Sequence, residues 1–178
     1  MTKTVQNGSF HRLTIAAITG SLENLGKILK KAEDHARTNK IEPGVLLNAR
    51  LYPDMFTLIQ QLQYALYLPM DFAQHFADGP PPHVGYEEAS FEDVHASLKL
   101  ADTYLKAIPV ARLAERAERI VPTFFDSTRG LSAESYAALV VMPDFYFHLS
   151  VAYAILRHNG VPLGKEDFIG HYDSVPIS

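Results

Sequence analysis

The chain has no cysteine, which removes at once a disulfide scaffold, a thiolate zinc site and a cysteine nucleophile. It has no basic excess either: 16 Lys and Arg stand against 20 Asp and Glu, the formal net charge is -4, and the two signs are interspersed. Without a basic face to meet a phosphate backbone, no nucleic-acid partner is expected. Asp, Gln, His or Arg interrupts each apolar stretch before the roughly 18 residues that a membrane span needs. The first residues, MTKTVQNGSFHRL, lack the basic-then-apolar pattern of a signal peptide. A Gly-rich phosphate loop, a GxSxG elbow, a dinucleotide fingerprint, and the HxxxH and HExxH metal pairs are also missing. These absences together lead us to expect a soluble cytoplasmic protein with no membrane partner.

What the sequence does have is helical periodicity. Its 178 residues, 47% hydrophobic and 20% charged, suit one globular domain covering 1–178. Apolar residues recur at helical spacing in four segments. The first runs from about Ser9, a candidate N-cap, to Thr38, with Ile18, Leu22, Leu25, Leu29, Ala32 and Ala36 on one stripe. The second runs from about Val45 to Leu68, with Leu47, Leu51, Leu58, Leu62 and Ala65 aligned. After the loop DGPPPHVG, the third runs from about Tyr86 to Pro109, and Ser90 with Asp93 has the form of a capping box. ARLAERAERI adds a short polar helix, and VPTFFDSTRGLS reads as a hairpin-like link turning at Arg129-Gly130. The fourth helix begins after Ser132 and stops at Asn159-Gly160. The expected fold is all-α, a four-helix bundle whose irregular tail wraps back onto it.

Two of the long helices carry a Pro-Asp pair, Pro53-Asp54 in the second and Pro143-Asp144 in the fourth. At ~100° per residue, Asp54 falls on the apolar stripe of the second helix, and Gln61 follows one heptad later. His148 lies at the edge of the stripe Phe145, Leu149, Ala152 and Leu156, one turn after Asp144. At a rise of ~1.5 Å per residue, Asp54 and His148 share a level only if helices two and four are antiparallel, with a crossover between two and three. In that order His95 is near the same height. The expected site is therefore an interior pocket with Asp54 and His148 as the acid-base pair, and Arg50, Gln61, His95, Tyr146 and Tyr153 available to a substrate. Asp54, Asp144 and His148 would alternatively offer a divalent zinc, nickel or iron ion two carboxylates and one imidazole. The plainer reading is capping and helix bending, since Asp after Pro early in a helix serves the helix dipole and Pro removes a donor.

LLNARLYPDMFTLIQQLQ and PDFYFHLSVAYAILRHNGVPLGKEDFIG, with LENLGKILKKAEDHA in the first helix, resemble a domain-of-unknown-function branch of the DinB-like four-helix-bundle superfamily. The resemblance covers nearly the whole chain. It implies an up-down-down-up bundle with a crossover, and homodimers formed through bundle faces. Relatives in the superfamily bind a divalent metal through one histidine of helix two and an HxxxH pair of helix four, and several are thiol-dependent transferases or hydrolases. This chain keeps His148 but has Ala152 four residues later, and offers Asp54 and no histidine in helix two. The expectation is therefore a small-molecule binder or a cofactor-independent isomerase, cyclase, lyase or hydrolase. The alternatives are a non-catalytic dimeric bundle, or a metal enzyme with a degenerate site.

Overall fold

The computed structural model describes residues 8–123, 126–172, 174, 176 and 177, with only the backbone of Ser127. The first seven residues, Phe124 and Phe125 of the expected link, and Asp173, Val175 and Ser178 of the tail lie outside the described residues.

The chain is helical from residue 8, through a π turn at Arg12–Ala16 and into α1 (Ala17–Thr38). Ser9 thus lies inside the helical path rather than capping it. All six residues expected on the apolar stripe of α1 are buried, as a 3.6-residue period facing one core requires.

The second segment departs from expectation. It is a short α2 (Pro43–Leu47), a non-helical stretch from 48 to 57, and then α3 (Leu58–Ala73). Pro53 pushes the residue before it out of the helical region, and Arg50 and Ala49 tie the loop shut. The Arg50 guanidinium donates to the Met55 carbonyl (2.7 Å) and the Leu58 amide donates to Ala49 (2.9 Å). Thr57 then opens α3 with a capping box: its hydroxyl accepts from the Gln60 amide, and the Gln60 side chain accepts from the Thr57 amide. The helix continues through buried Pro69, past its expected end at Leu68.

The long connection that follows lies against α3. The buried Glu88 carboxylate accepts from the Gly85 amide (2.8 Å) and the Ser97 hydroxyl (2.6 Å), while Gln63 donates to the Glu88 carbonyl (3.0 Å). Gly85 has φ +86°, and a Cβ there would sit 2.5 Å from the Gln63 carbonyl oxygen; glycine is the residue that fits. The Ser90–Asp93 capping box starts α4 (Phe91–Lys106), a few residues later than Tyr86.

After α5 (Val110–Arg116), strands β1 (Ile120–Thr123) and β2 (Asp126–Ser132) pair antiparallel, with Val121 opposite Leu131 and Pro122 opposite Gly130. Arg129-Gly130 is therefore within a strand and is not the turn. A Cβ on Gly130 would stand 2.7 Å from the Val121 carbonyl oxygen, so this glycine permits close strand approach.

Ser132 caps the last long helical path as expected, accepting from the Ser135 amide (3.2 Å). That path comprises α6 (Ala133–Tyr136), a second π turn (Ala137–Val141) and α7 (Met142–His158). By length and composition alone, Ala133–His158 could cross a membrane. Its stripe Phe145, Leu149, Ala152 and Leu156 is instead buried in the protein core. The tail folds back as expected: α8 (Lys165–Ile169) is tied to α1 by Lys31–Asp167 (2.7 Å) and by Asn24 donating to the Ile169 carbonyl (3.0 Å).

The protein is thus mostly helical. The broadest seam joins α3 and α7, while α4 packs on α1 and α3. Between α3 and the continuous α6–α7 path, Gln61 meets His148 of α7 and Asp71 meets Tyr136 of α6. Across α1–α4, Glu33 meets His95 and Glu23 meets Lys106. In each pair the residue numbers rise on one helix as they fall on the other, so both pairs are antiparallel.

Candidate functional site

His148 is the one buried histidine among the described residues, 6% exposed on the α3–α7 seam. Its Nδ1 is 2.6 Å from Oε1 of Gln61, which is itself 1% exposed. The other ring nitrogen, Nε2, faces Oδ1 of Asp144 at 3.4 Å, one turn back on the same helix. The His148 ring stacks nearly parallel on Tyr64 (centroids 4.9 Å apart) and on Phe56 (6.3 Å), and Phe147 meets it edge-on at 5.3 Å. Asp144 retains 32% of its side-chain exposure and Phe147 is exposed, so the Nε2 side is the one nearer to solvent.

Burial disfavours the charged ring and holds the His148 pKa below its ordinary 6.5, and the Asp144 carboxylate only partly opposes this. A neutral ring has a single N–H. With Gln61 presenting an oxygen at 2.6 Å, that proton belongs on Nδ1. Nε2 is then left with its lone pair facing a carboxylate oxygen, two acceptors with no proton between them. Such a pair is suited to take a proton, or an X–H donor, from a third party.

The residues expected from sequence distribute unevenly. Gln61, Asp144 and His148 come together. Asp54 does not join them: it is exposed on the 48–57 loop, and no contact among the described residues links it to His148. Its placement on an apolar stripe assumed one continuous helix, whereas α2 ends at Leu47, before Pro53 is reached. His95 pairs with Glu33 (3.1 Å) on the α1–α4 face. Arg50 closes its own loop. Tyr146 and Tyr153 turn to other flanks, Tyr146 bonding Ser21 (3.3 Å) and Tyr153 meeting the Phe168 ring edge-on (5.7 Å). Missing from the sequence reading are Phe56 and Tyr64, although Tyr64 lies three residues after Gln61, on the same helical face.

A model for a domain of unknown function, DUF1993, matches residues 10–169. The chain belongs to the DUF1993 family. Its fold is also that of a crystal structure described as a DinB family member protein from Shewanella denitrificans. That protein is 30% identical, with a TM-score of 0.89, over 99% of this chain and 100% of the other. No curated protein sequence matches. DUF1993 is accordingly placed as a branch of the DinB-like fold.

The side chains of this DUF1993 chain do not fit the three-histidine metal centre that the DinB-like resemblance implies. Ala152, fully buried, stands where a second helix-four histidine would be, and Gln61 of α3 is already bonded to His148. With Asp54 exposed on its loop, the alternative trio of Asp54, Asp144 and His148 is not assembled. Among the described residues no group of three or more His, Cys, Asp or Glu side chains is placed to hold a metal.

Proposed function

We propose that Gln61, His148 and Asp144 form a small-molecule site in which His148 accepts a proton, in a binding protein or a cofactor-independent acid-base enzyme. The observation that carries this reading is the polarity of the ring: Nδ1 is bonded inward to Gln61, and Nε2 is aimed at Asp144. In this scheme Nε2 takes a proton from a ligand O–H or N–H. The resulting imidazolium is stabilised by the Asp144 carboxylate, while Gln61 keeps the ring from turning. Phe56, Tyr64 and Phe147 favour a planar apolar ligand body beside the base. Isomerisation, cyclisation, elimination and hydrolysis all use such a proton acceptor. Asp144 takes the part that the sequence suggested for Asp54.

We read the four long helical segments as an up-down-down-up bundle with a crossover between α3 and α4. Support comes from the antiparallel α3–α7 and α1–α4 cross-links and from the long connection laid against α3. That order brings residues at the start of α3 level with the middle of α7.

The test is a titration of histidine-labelled protein with a panel of phenols and aryl amines, following the ring nitrogens by NMR. At least one compound is expected to shift Nε2 of His148 saturably. His148→Gln and Asp144→Asn should remove that binding with helical circular dichroism retained. A ring that responds to no compound, or binding untouched by both substitutions, would reject the site.

A further inference from the structure

A separate hollow of about 400 Å³ lies at the far end of the α6–α7 path from His148, within the size range of small-ligand sites. It is lined by the two π turns found among the described residues, Leu13 and Thr14 from the first, Ala137 and Ala138 from the second. A π turn gives up regular hydrogen bonding and is concentrated at functional sites. Pro143, which lacks an amide proton, accounts for the second. The first has no such proline beside it, the next along the chain being Pro43. Two such turns opening on one space mark it as more than a packing remainder.

The walls are fixed and the floor is apolar. The Ala133 amide donates to the Arg119 carbonyl (2.9 Å) and the Glu134 amide to Ala117 (3.0 Å), clamping the neck of the hairpin to the start of α6. The Thr14 hydroxyl is occupied by the Phe10 carbonyl (2.6 Å). Alanine side chains leave the volume open.

The charged side chains of the described lining have one sign. Glu118 and Glu134 are the titratable side chains of the lining, both are exposed, and neither has an ion-pair partner among the described residues. Among the described residues, no Lys, Arg or His lines the hollow. The helix dipole accounts for Glu134 in the first turn of α6, but not for Glu118, which precedes the hairpin.

We infer that this hollow binds a small organic cation, an ammonium group carried on a hydrocarbon body, with the body on the alanine floor and the charge at the two glutamates. The experiment compares hexylammonium, hexanol and hexanoate with the full-length chain at low salt, by calorimetry and amide NMR. The ammonium should bind saturably with shifts at Leu13, Ala137 and Ala138, and about tenfold more tightly than hexanol. Hexanoate should bind more weakly still. The double substitution Glu118→Gln with Glu134→Gln should cancel the preference for the cation and leave hexanol unchanged. Ala138→Phe, at an exposed position, should block all three. No saturable ammonium binding, or equal binding of the three probes, would overturn the inference. So would a preference that survives the double substitution.

Discussion

Pro-Asp occurs twice in this chain, after Leu51-Tyr52 and after Val141-Met142, and the two copies end in opposite settings. Pro143 enters a helical path already under way from the Ser132 cap, and the π turn before it takes up the missing donor. The helix survives, Phe145 is buried, and Asp144 is delivered beside His148. Pro53 follows a five-residue helix that has already ended at Asn48. Nothing there propagates, so the chain loops and Asp54 is left exposed. A dipeptide does not decide its own fate; the length of regular structure feeding into it does.

The largest expected effect separates the aromatic residues that follow each pair. Phe145 is fully buried, and Phe145→Ala should cost about 3–5 kcal/mol by emptying the α3–α7 seam. Phe56 keeps 39% of its exposure, and Phe56→Ala should cost only about 1–2 kcal/mol. Urea unfolding with m-values compared checks both. Equal losses would mean that the 48–57 loop is as integral to the core as α7.

A middle-sized effect concerns pH. Burial depresses the His148 pKa, so between that value and 6.5 the unfolded chain binds more protons than the folded one. Stability should therefore fall as pH drops below about 6.5. His75, also depressed chiefly by burial, acts in the same direction. Asp71, raised chiefly by burial, acts oppositely: its penalty grows as pH rises above 3.8. Unfolding midpoints at pH 7.5 and 5.5 should differ less in His148→Gln than in the parent chain. An unchanged difference would mean that His148 is not the group being charged.

The helices were legible in the sequence because their signals are local and concordant. The α1 stripe and the Ser132 and Asn159-Gly160 boundaries were readable from spacing and capping chemistry, whereas the Ser90 box fitted equally well inside a helix begun near Tyr86. The break at 48–57 was also written there, as Pro53 followed by Thr57-x-x-Gln60. It lost to the apolar period running through it, because Leu47, Leu51 and Leu58 align on a helix that does not form. The site was half legible. Gln61 and His148 were visible as polar residues on apolar faces, but which carboxylate joined them depended on backbone continuity at each proline. Glycine misled for a similar reason: Gly130 serves a close strand contact rather than a turn.

The finest test exchanges the two carboxylates. Asp144→Asn removes the one group that resists the depression of the His148 pKa, so the ring should titrate at a lower pH than in the parent chain. With the ring neutral at pH 7 no ion pair is lost, so the stability change there should be within about 0.5 kcal/mol, as for a partly exposed polar substitution. Asp54→Asn should leave the His148 titration where it was, with a stability change inside about 0.5 kcal/mol. NMR titration of the ring reads both directly. A shift caused by Asp54→Asn alone would put the loop carboxylate within electrostatic reach of the ring and return the acid-base pair to the residues that the sequence first suggested. A shift caused by Asp144→Asn alone makes the fourth-helix Pro-Asp the functional copy and the other a loop closure.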